Sequence, residues 1–245
     1  MRKICLFLLV IANLTLKAQT IKIAAAANLR YVLDEIKASF EKQNPQTHIL
    51  NVAGSSGALY QQIINGAGYD VFMAADRVFP DKLKAQGFVD GEVKTYAYGK
   101  LVLWSNTLDL KSKSLNILLD NGIKRIAIAN PDLAPYGERA IQCLRYYHLY
   151  DKVKDKLVFA DNISQTAQFA QTGNAQVGFL ALSLAMAPEM GGNYILPDAA
   201  GYKPVEQSMV LIKGGQHNAT ATKFMEFVLS PACRPIFEKY GYLFP

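Results

Sequence analysis

Apolar residues along the chain follow two kinds of spacing. Short continuous runs, such as "TIKIAAA", "HILNVA" and "DVFMA", are typical of buried strands. Between the first two runs, apolar residues recur every three or four positions from Leu29 to Phe40 and predict a helix that ends at Asn44-Pro45. After "HILNVA" the apolar spacing becomes helical again from Ala58 onward, directly behind the four small residues Gly-Ser-Ser-Gly.

The same alternation continues to the C-terminus. Further strands are predicted at "KLVLW", "RIAIAN", "KLVFA", "VGFLA" and "SMVLI". Further helices are predicted at "GERAIQCLRYYHLY", "SQTAQFAQTGN" and "TATKFMEFVLS". Strands that alternate with helices predict an α/β fold, with parallel sheets covered by helices on both faces.

Two extended segments divide this pattern into two lobes. "YAYGKLVLWSN" near residue 100 and "VEQSMVLIKGG" near residue 208 both lie between blocks of alternating strands and helices. If both segments cross between lobes, residues 19–99 and 209–245 form the first lobe and residues 100–208 form the second. A cleft between two lobes is a common place for a small ligand.

The N-terminus has the features of a secretory signal peptide. Arg2 and Lys3 precede the apolar segment Ile4–Ala12, and the small residue Ala18 suits cleavage after residues 1–18. Cys5 lies inside the apolar segment and not at the cleavage point, which argues against a lipid anchor. We therefore expect a periplasmic protein.

Composition narrows the classes of partner. Losing three cations with the signal peptide lowers the formal net charge from +6 to +3, a mild excess that suits a small anion. The sequence shows no stripe of Lys and Arg of the kind that nucleic acid requires. Cys143 and Cys233 could pair or remain two separate thiols, and neither they nor the three histidines have metal-site spacing. No cofactor is indicated.

Four predicted helix starts combine small residues with a side chain that can hydrogen-bond. They follow "AAAAN", "GSSG", "APYG" and "ADNIS", and their polar residues are Asn28, Ser55, Ser56, Tyr136 and Ser164. A helix N-terminus carries about four unpaired N–H groups and about half a positive charge. In an α/β sheet such ends gather at the carboxyl edge of the strands, where ligands bind. Each start alone is also compatible with an ordinary helix cap.

Longer segments resemble a known family. "IKIAAAANLRYVLDEI", "VAGSSGALYQQIINGAGYDVFMAAD", "YAYGKLVLWS", "IAIANPDLAPYGERAIQCL" and "VGFLALS" closely resemble the periplasmic molybdate/tungstate-binding proteins of ABC importers. The resemblance extends over about residues 20–245. It implies a two-lobed, type II periplasmic-binding-protein fold with two crossing strands, which holds one tetrahedral oxyanion through uncharged donors. It also implies a monomer that is not an enzyme and that delivers the anion to a membrane permease.

The resemblance implies a set of ligand residues. The first-loop ligand falls on Asn28, with the backbone N–H of Ala27 or Asn28 beside it. The second-loop ligand falls on Ser56, through both its hydroxyl and its N–H. The phenol falls on Tyr136, and the last backbone N–H donor falls on Ser164.

The sequence departs from the commonest family pattern in two places. Many members carry serine where this chain has Asn28, and many carry a tyrosine where it has Ala181. A subgroup with asparagine in the first loop and "APYG" in the third resembles this chain better, and there Tyr136 supplies the phenol.

Other polar residues near these segments are interpreted as structural. Tyr96 and Tyr98 are expected to pack in the core or hinge, and Asp76 is expected to cap a helix. Glu138 and Arg139 are expected on an exposed first turn.

Two alternatives to molybdate or tungstate binding remain. The same donors could bind sulfate or another tetrahedral oxyanion, since discrimination would depend on cavity size. A secreted serine hydrolase could use Ser55 or Ser56 as its nucleophile, but the sequence has no nucleophile-elbow motif and its three histidines are scattered.

Overall fold

The structure is a computed structural model that describes residues 19–215 and 218–244. The predicted signal peptide, residues 1–18, lies outside the described residues. Within the described ranges, no helix is both long enough and apolar enough to cross a membrane.

In the described residues, ten strands form two sheets of five. The strands of the first sheet are β1 Gln19–Ala26, β2 Thr47–Gly54, β3 Val71–Ala74, β4 Val89–Gly99 and β10 Val205–Ile212. The strands of the second are β5 Leu101–Ser105, β6 Ile126–Ala129, β7 Leu157–Ala160, β8 Val177–Ala181 and β9 Asn193–Ile195. Helices cover both sheets: α1 Arg30–Gln43, α2 Ser56–Ile64, α3 Val78–Ala85, α4 Pro135–Tyr146, α5 Tyr150–Val153, α6 Ile163–Gln171, α7 Leu182–Ala185, α8 Asn218–Leu229 and α9 Arg234–Lys239.

The two sheets have equivalent strand orders, β2-β1-β3-β10-β4 and β7-β6-β8-β5-β9. In each sheet three strands pair in parallel at one side, and a reversed strand, β10 or β5, pairs antiparallel with both of its neighbours. Four of the five strands in each sheet therefore run in one direction. The α/β prediction with two lobes and mixed, mostly parallel sheets is confirmed.

The chain crosses between the sheets at two adjacent points. β4 ends at Gly99 and β5 begins at Leu101, so Lys100 alone separates the two sheets. The chain returns between β9 and β10, and the first residue of β10, Val205, pairs with Gly99. The two crossings therefore lie side by side. Near them the ring of Tyr96 is buried against Phe237, with 5.7 Å between the ring centroids.

Burial follows the apolar spacing of the sequence. The inward face of α1 consists of Val32, Leu33, Ile36 and Phe40, all of which are buried. α3 forms in the polar segment "ADRVFPDKLKAQG", where Pro80 and Leu83 are its buried residues. A large apolar core runs through both lobes, and a smaller cluster around Leu59 and Phe72 fills the other face of the first sheet.

Cys143 and Cys233 are two separate buried thiols. Burial raises the pKa of each thiol to about 12. Both side chains therefore stay protonated at neutral pH and pack as small apolar groups. Of the two alternatives that the sequence left open, the structure shows the unpaired one.

Candidate functional site

The loops that follow parallel strands of both sheets meet around one small cavity. Its lining consists of Ala26, Ala27, Asn28, Gly54, Ser55, Ser56, Ala75, Ala134, Pro135, Tyr136 and Ile163. The loops after β1, β2 and β3 come from the first sheet, and those after β6 and β7 come from the second. The cavity thus lies between the lobes, at the carboxyl ends of the parallel strands, where α/β proteins bind ligands.

The two serines of "GSSG" begin helix α2 at the cavity. Ser55 is the N-cap residue, and its buried hydroxyl has no hydrogen-bond partner within residues 19–215 and 218–244. Ser56, the first helical residue, is fully buried, and its Oγ accepts a hydrogen bond from the Ala75 N–H at 3.0 Å. Because that bond uses a lone pair, the Ser56 hydroxyl keeps its proton for a further acceptor.

Tyr136 brings a hydroxyl from the second lobe. It is the second residue of α4, it is buried, and its Oη has no hydrogen-bond partner among the described residues. Burial raises the pKa of the Tyr136 phenol well above 10, so the hydroxyl remains a donor at neutral pH. The phenol lies against the first crossing, since a Cβ added at Gly99 would be 2.1 Å from Oη.

Gly137 allows α4 to begin this close to the second sheet. A Cβ added at this position would lie 2.0 Å from the carbonyl oxygen of Ala129, the last residue of β6. A larger residue would therefore displace the first turn of α4 and the Tyr136 hydroxyl with it. Pro135 also favours this helix start, because its missing N–H falls where a helix has no internal partner.

Asn28 lies in a short 3-10 helix, Ala27–Leu29, directly after β1. Its side chain is 1 % exposed, and its Nδ2 donates to Gln207 Oε1 at 2.9 Å and to Tyr242 Oη at 2.7 Å. Its Oδ1 is buried and has no partner in the described part of the chain. Asn28 therefore reaches the cavity, while both protons of its amide point to groups behind it.

The structure places Ser164 differently from the prediction. The N-cap of α6 is Asn162, whose Oδ1 accepts the Ser164 N–H at 3.0 Å, so the expected donor is already paired. The Ser164 hydroxyl donates to the Ala27 carbonyl at 3.0 Å. Ile163, the first residue of α6, lines the cavity in place of Ser164.

Direct hydrogen bonds connect the lobes around the cavity. The Gly57 N–H donates to the Leu133 carbonyl at 2.8 Å, and the Ser183 hydroxyl donates to the Asn28 carbonyl at 2.9 Å. Together with the bond from Ser164 to Ala27, they join turns of the first lobe to turns of the second. The structure therefore has its lobes closed over the cavity.

The cavity lining is neutral. Within the described residues, no charged side chain is among its lining residues, and no group of three or more His, Cys, Asp or Glu could hold a metal ion. The described histidines, His48 and His148, do not line it either. Since a serine nucleophile needs a general base, this arrangement gives the hydrolase alternative no support.

Of the two charged residues expected on an exposed turn, Glu138 is exposed and Arg139 is buried. Arg139 was expected on an exposed turn but is 6 % exposed, because it shares the inward face of α4 with Tyr136 and Cys143. Its Nη1 lies 2.7 Å from Glu138 Oε2.

Asp76 occupies the predicted capping position. Its buried carboxylate accepts the Phe79 N–H at 3.3 Å, at the start of α3. Burial raises its pKa to about 6, although the Phe79 N–H and the charge of Arg139 act in the opposite direction.

Sequence reasoning missed the polar residues behind Asn28. Gln207 and Ser183 are buried in apolar segments, and Tyr242 lies near the C-terminus, yet all three contact Asn28 by hydrogen bonds. A polar residue within the apolar strand "VEQSMVLI" was the available signal, since buried polar groups are normally paired.

Comparison with known proteins agrees with this architecture. The model of the family "Bacterial extracellular solute-binding protein" matches residues 21–243. The molybdate-binding protein ModA of Rhodobacter capsulatus is 38% identical over 221 residues, which cover 90% of this chain and 86% of that protein. ModA of Azotobacter vinelandii is 36% identical over 230 residues, which cover 92% and 90%.

A solved structure, the periplasmic molybdate-binding protein of Azotobacter vinelandii, superposes on this chain with a TM-score of 0.87. The two are 36% identical, and the superposition covers 92% of this chain and 99% of that one. The chain therefore belongs to the bacterial extracellular solute-binding protein family.

Proposed function

We propose that this protein binds molybdate or tungstate in the cavity between its lobes and delivers it to the permease of an ABC importer. The observation that carries the proposal is the cavity itself, which is formed by helix starts from both lobes and lined by hydroxyl and backbone groups without a charged side chain among the described residues. The two molybdate-binding relatives, at 38% and 36% identity over most of the chain, support the choice of anion.

The proposed donors come from all four helix starts. They are the hydroxyl and N–H of Ser56, the hydroxyls of Ser55 and Tyr136, and the backbone N–H groups of Ala27 or Asn28. Ile163 replaces Ser164 as the donor from α6, because the Ser164 N–H is bonded to Asn162. A hydrogen bond to a charged group contributes about 1.5–3 kcal/mol, so several such bonds can offset the desolvation of a dianion.

Uncharged hydrogen-bond donors suit an oxyanion ligand for physical reasons. A buried Lys or Arg would carry its own desolvation penalty, whereas helix-end N–H groups are already held in place. A site that offers only donors also favours a fully deprotonated oxyanion over hydrogen phosphate, which needs an acceptor for its proton.

Sulfate or another tetrahedral oxyanion is the second candidate, because the same donors would serve it. Isothermal titration of the purified protein with molybdate, tungstate, sulfate and phosphate separates the two. We expect one site per chain for molybdate and tungstate, and far weaker binding of sulfate and phosphate. Equal affinity for sulfate would overturn the choice of anion and leave the fold unaffected.

The proposal places the protein in the periplasm, as a monomer without catalytic activity. The family and the predicted signal peptide, residues 1–18, support this location. The proposed first lobe consists of residues 19–99 and 209–245, and the proposed second lobe of residues 100–208. The boundary between residues 208 and 209 falls inside β10, which begins at Val205.

A further inference from the structure

The side-chain amide of Asn28 has its oxygen, and not its nitrogen, free to face the proposed ligand. Both Nδ2 protons are used, one by Gln207 Oε1 at 2.9 Å and one by Tyr242 Oη at 2.7 Å. The Oδ1 atom, which can only accept, is buried at a cavity-lining residue and has no partner in the described ranges. A fully deprotonated oxyanion also only accepts, so this amide orientation offers it nothing.

Half a turn about the Cβ–Cγ bond would reverse this arrangement. An Asn amide has nearly the same shape in its two orientations, so the turn exchanges Oδ1 and Nδ2 with little change in packing. Nδ2 would then replace the unpartnered oxygen, and Oδ1 would lie between Gln207 and Tyr242. For this orientation to be stable, both neighbours must change from accepting to donating.

Tyr242 can make that change because a phenol both donates and accepts. Its Oη already lies 2.7 Å from the Asn28 amide nitrogen, and it donates its proton to Ser183 Oγ at 3.1 Å and to the Asn28 carbonyl at 3.3 Å. Redirecting that proton to Asn28 Oδ1 gives up both of these bonds. The Ser183 hydroxyl keeps its own bond to the Asn28 carbonyl, at 2.9 Å.

Gln207 can make the same change by turning its own amide. Among the described residues its Nε2 donates only to the Val205 carbonyl, at 3.2 Å, and its Oε1 lies 3.5 Å from the Tyr96 hydroxyl. After the turn Nε2 would donate to Asn28 Oδ1, and Oε1 would face the Val205 carbonyl without a donor. Because Gln207 is fully buried, this turn costs free energy, which a charge-assisted bond from Asn28 Nδ2 to the oxyanion would offset.

We propose that Gln207 and Tyr242 are positioning residues, which hold the Asn28 amide and, by reversing two hydrogen bonds, turn its nitrogen toward an oxyanion in the cavity. This inference rests on the proposed function. Asn28 follows β1, and Gln207 lies in β10 of the same sheet. Tyr242 precedes Leu243, which pairs with Tyr98 of that sheet, so the reversal requires no movement of one sheet relative to the other.

A double-mutant cycle tests the proposal by molybdate titration of the wild type, Asn28→Ala, Tyr242→Phe and the double variant. Without the Tyr242 hydroxyl the turned amide lacks a donor, so Tyr242→Phe should weaken binding by about tenfold. In the Asn28→Ala background the same substitution should have no further effect, because there is no amide left to position. Gln207→Met should show the same dependence on Asn28.

Tyr240→Phe is the matched control. It removes the hydroxyl of a tyrosine two positions before Tyr242 in the sequence, which donates to Glu35 at 2.6 Å outside the cavity. This variant should bind molybdate with unchanged affinity. An effect of Tyr242→Phe or Gln207→Met that is equal with and without Asn28 would overturn the positioning role, even if the wild type binds molybdate. Failure of the wild type to bind molybdate would instead overturn the proposed function.

Nuclear Overhauser measurements on the wild type give a second test that needs no variant in the network. The Asn28 Nδ2 protons should show contacts with the Tyr242 ring in the free protein, and these contacts should weaken when molybdate is added. Unchanged contacts in a molybdate-saturated sample would contradict the reversal.

Discussion

The two lobes share a strand order but differ in how the polar groups that they place at the cavity are hydrogen-bonded. In the first lobe, two polar side chains at the cavity are held by others, Ser56 Oγ by the Ala75 N–H and Asn28 by Gln207 and Tyr242. The Ser55 hydroxyl beside them has no partner among the described residues. In the second lobe, Tyr136 presents a hydroxyl that has no partner among the described residues. The first lobe therefore holds two of its polar side chains in place without a ligand, whereas the Tyr136 hydroxyl stays without a partner in the described ranges even with the lobes closed.

Blocking closure should have the largest effect on binding. A Cβ at Gly57 would lie 2.9 Å from the Leu133 carbonyl of the other lobe, so Gly57→Val should oppose the closed arrangement. Overpacking typically costs about 1–3 kcal/mol, so molybdate binding should weaken by up to about 100-fold. Titration calorimetry would measure this loss.

Gly68→Val is the control for that experiment, because a Cβ at Gly68 meets nothing within 4 Å and its backbone is not left-handed. We expect it to bind like the wild type. If Gly57→Val also binds like the wild type, closure at this contact does not contribute to affinity.

Ser56→Ala tests the supported hydroxyl of the first lobe. It removes a proposed ligand donor and leaves the buried Ala75 N–H without its acceptor, so both binding and folding should suffer. We expect molybdate affinity to fall at least about tenfold and the unligated protein to lose about 1–3 kcal/mol of stability. Calorimetric titration and thermal melting measure the two effects.

Tyr136→Phe tests the unsupported hydroxyl of the second lobe. Affinity should fall by about tenfold, while the Tm of the unligated protein should not decrease, since the lost hydroxyl has no partner to leave behind. If Tyr136→Phe lowers the Tm as much as Ser56→Ala does, the contrast between the lobes is wrong.

The smallest expected effect concerns pH and the buried carboxylate of Asp76. Burial holds its folded-state pKa at about 6, above its ordinary value of 3.8, so ionisation disfavours the folded state. Its contribution to stability is present below pH 3.8 and is lost as the pH rises through about 6. Asp76→Asn, which cannot ionise, should gain several °C in Tm relative to the wild type as the pH rises from 4 to 7. A difference in Tm that stays constant over that range would contradict the assignment.

The sequence predicted the architecture because its signals are local and repeated. Runs of buried strand residues and helical spacing identified both sheets, and the small residues at helix starts identified the turns that meet at the cavity. Those signals depend on neighbours within a few positions, which is why Ser56 and Tyr136 lie where they were expected.

Two features of the site could not be read in this way. Asn162 and Ser164 are both good capping residues, so "ADNIS" alone does not decide which one caps α6. That choice changes the proposed donor from Ser164 to Ile163. The partners of Asn28 are 179 and 214 residues away in sequence, and only the folded sheet brings Gln207 and Tyr242 to it.

The central claim is that helix starts and hydroxyls, without a cationic side chain, hold the anion. A crystal structure of the protein grown with tungstate tests it most directly, because tungsten gives a strong anomalous signal. We predict one peak in the cavity, with oxygens about 2.5–2.7 Å from Ser56 Oγ and Tyr136 Oη. A peak beside lysine or arginine side chains, or an empty cavity at saturating tungstate, would contradict it.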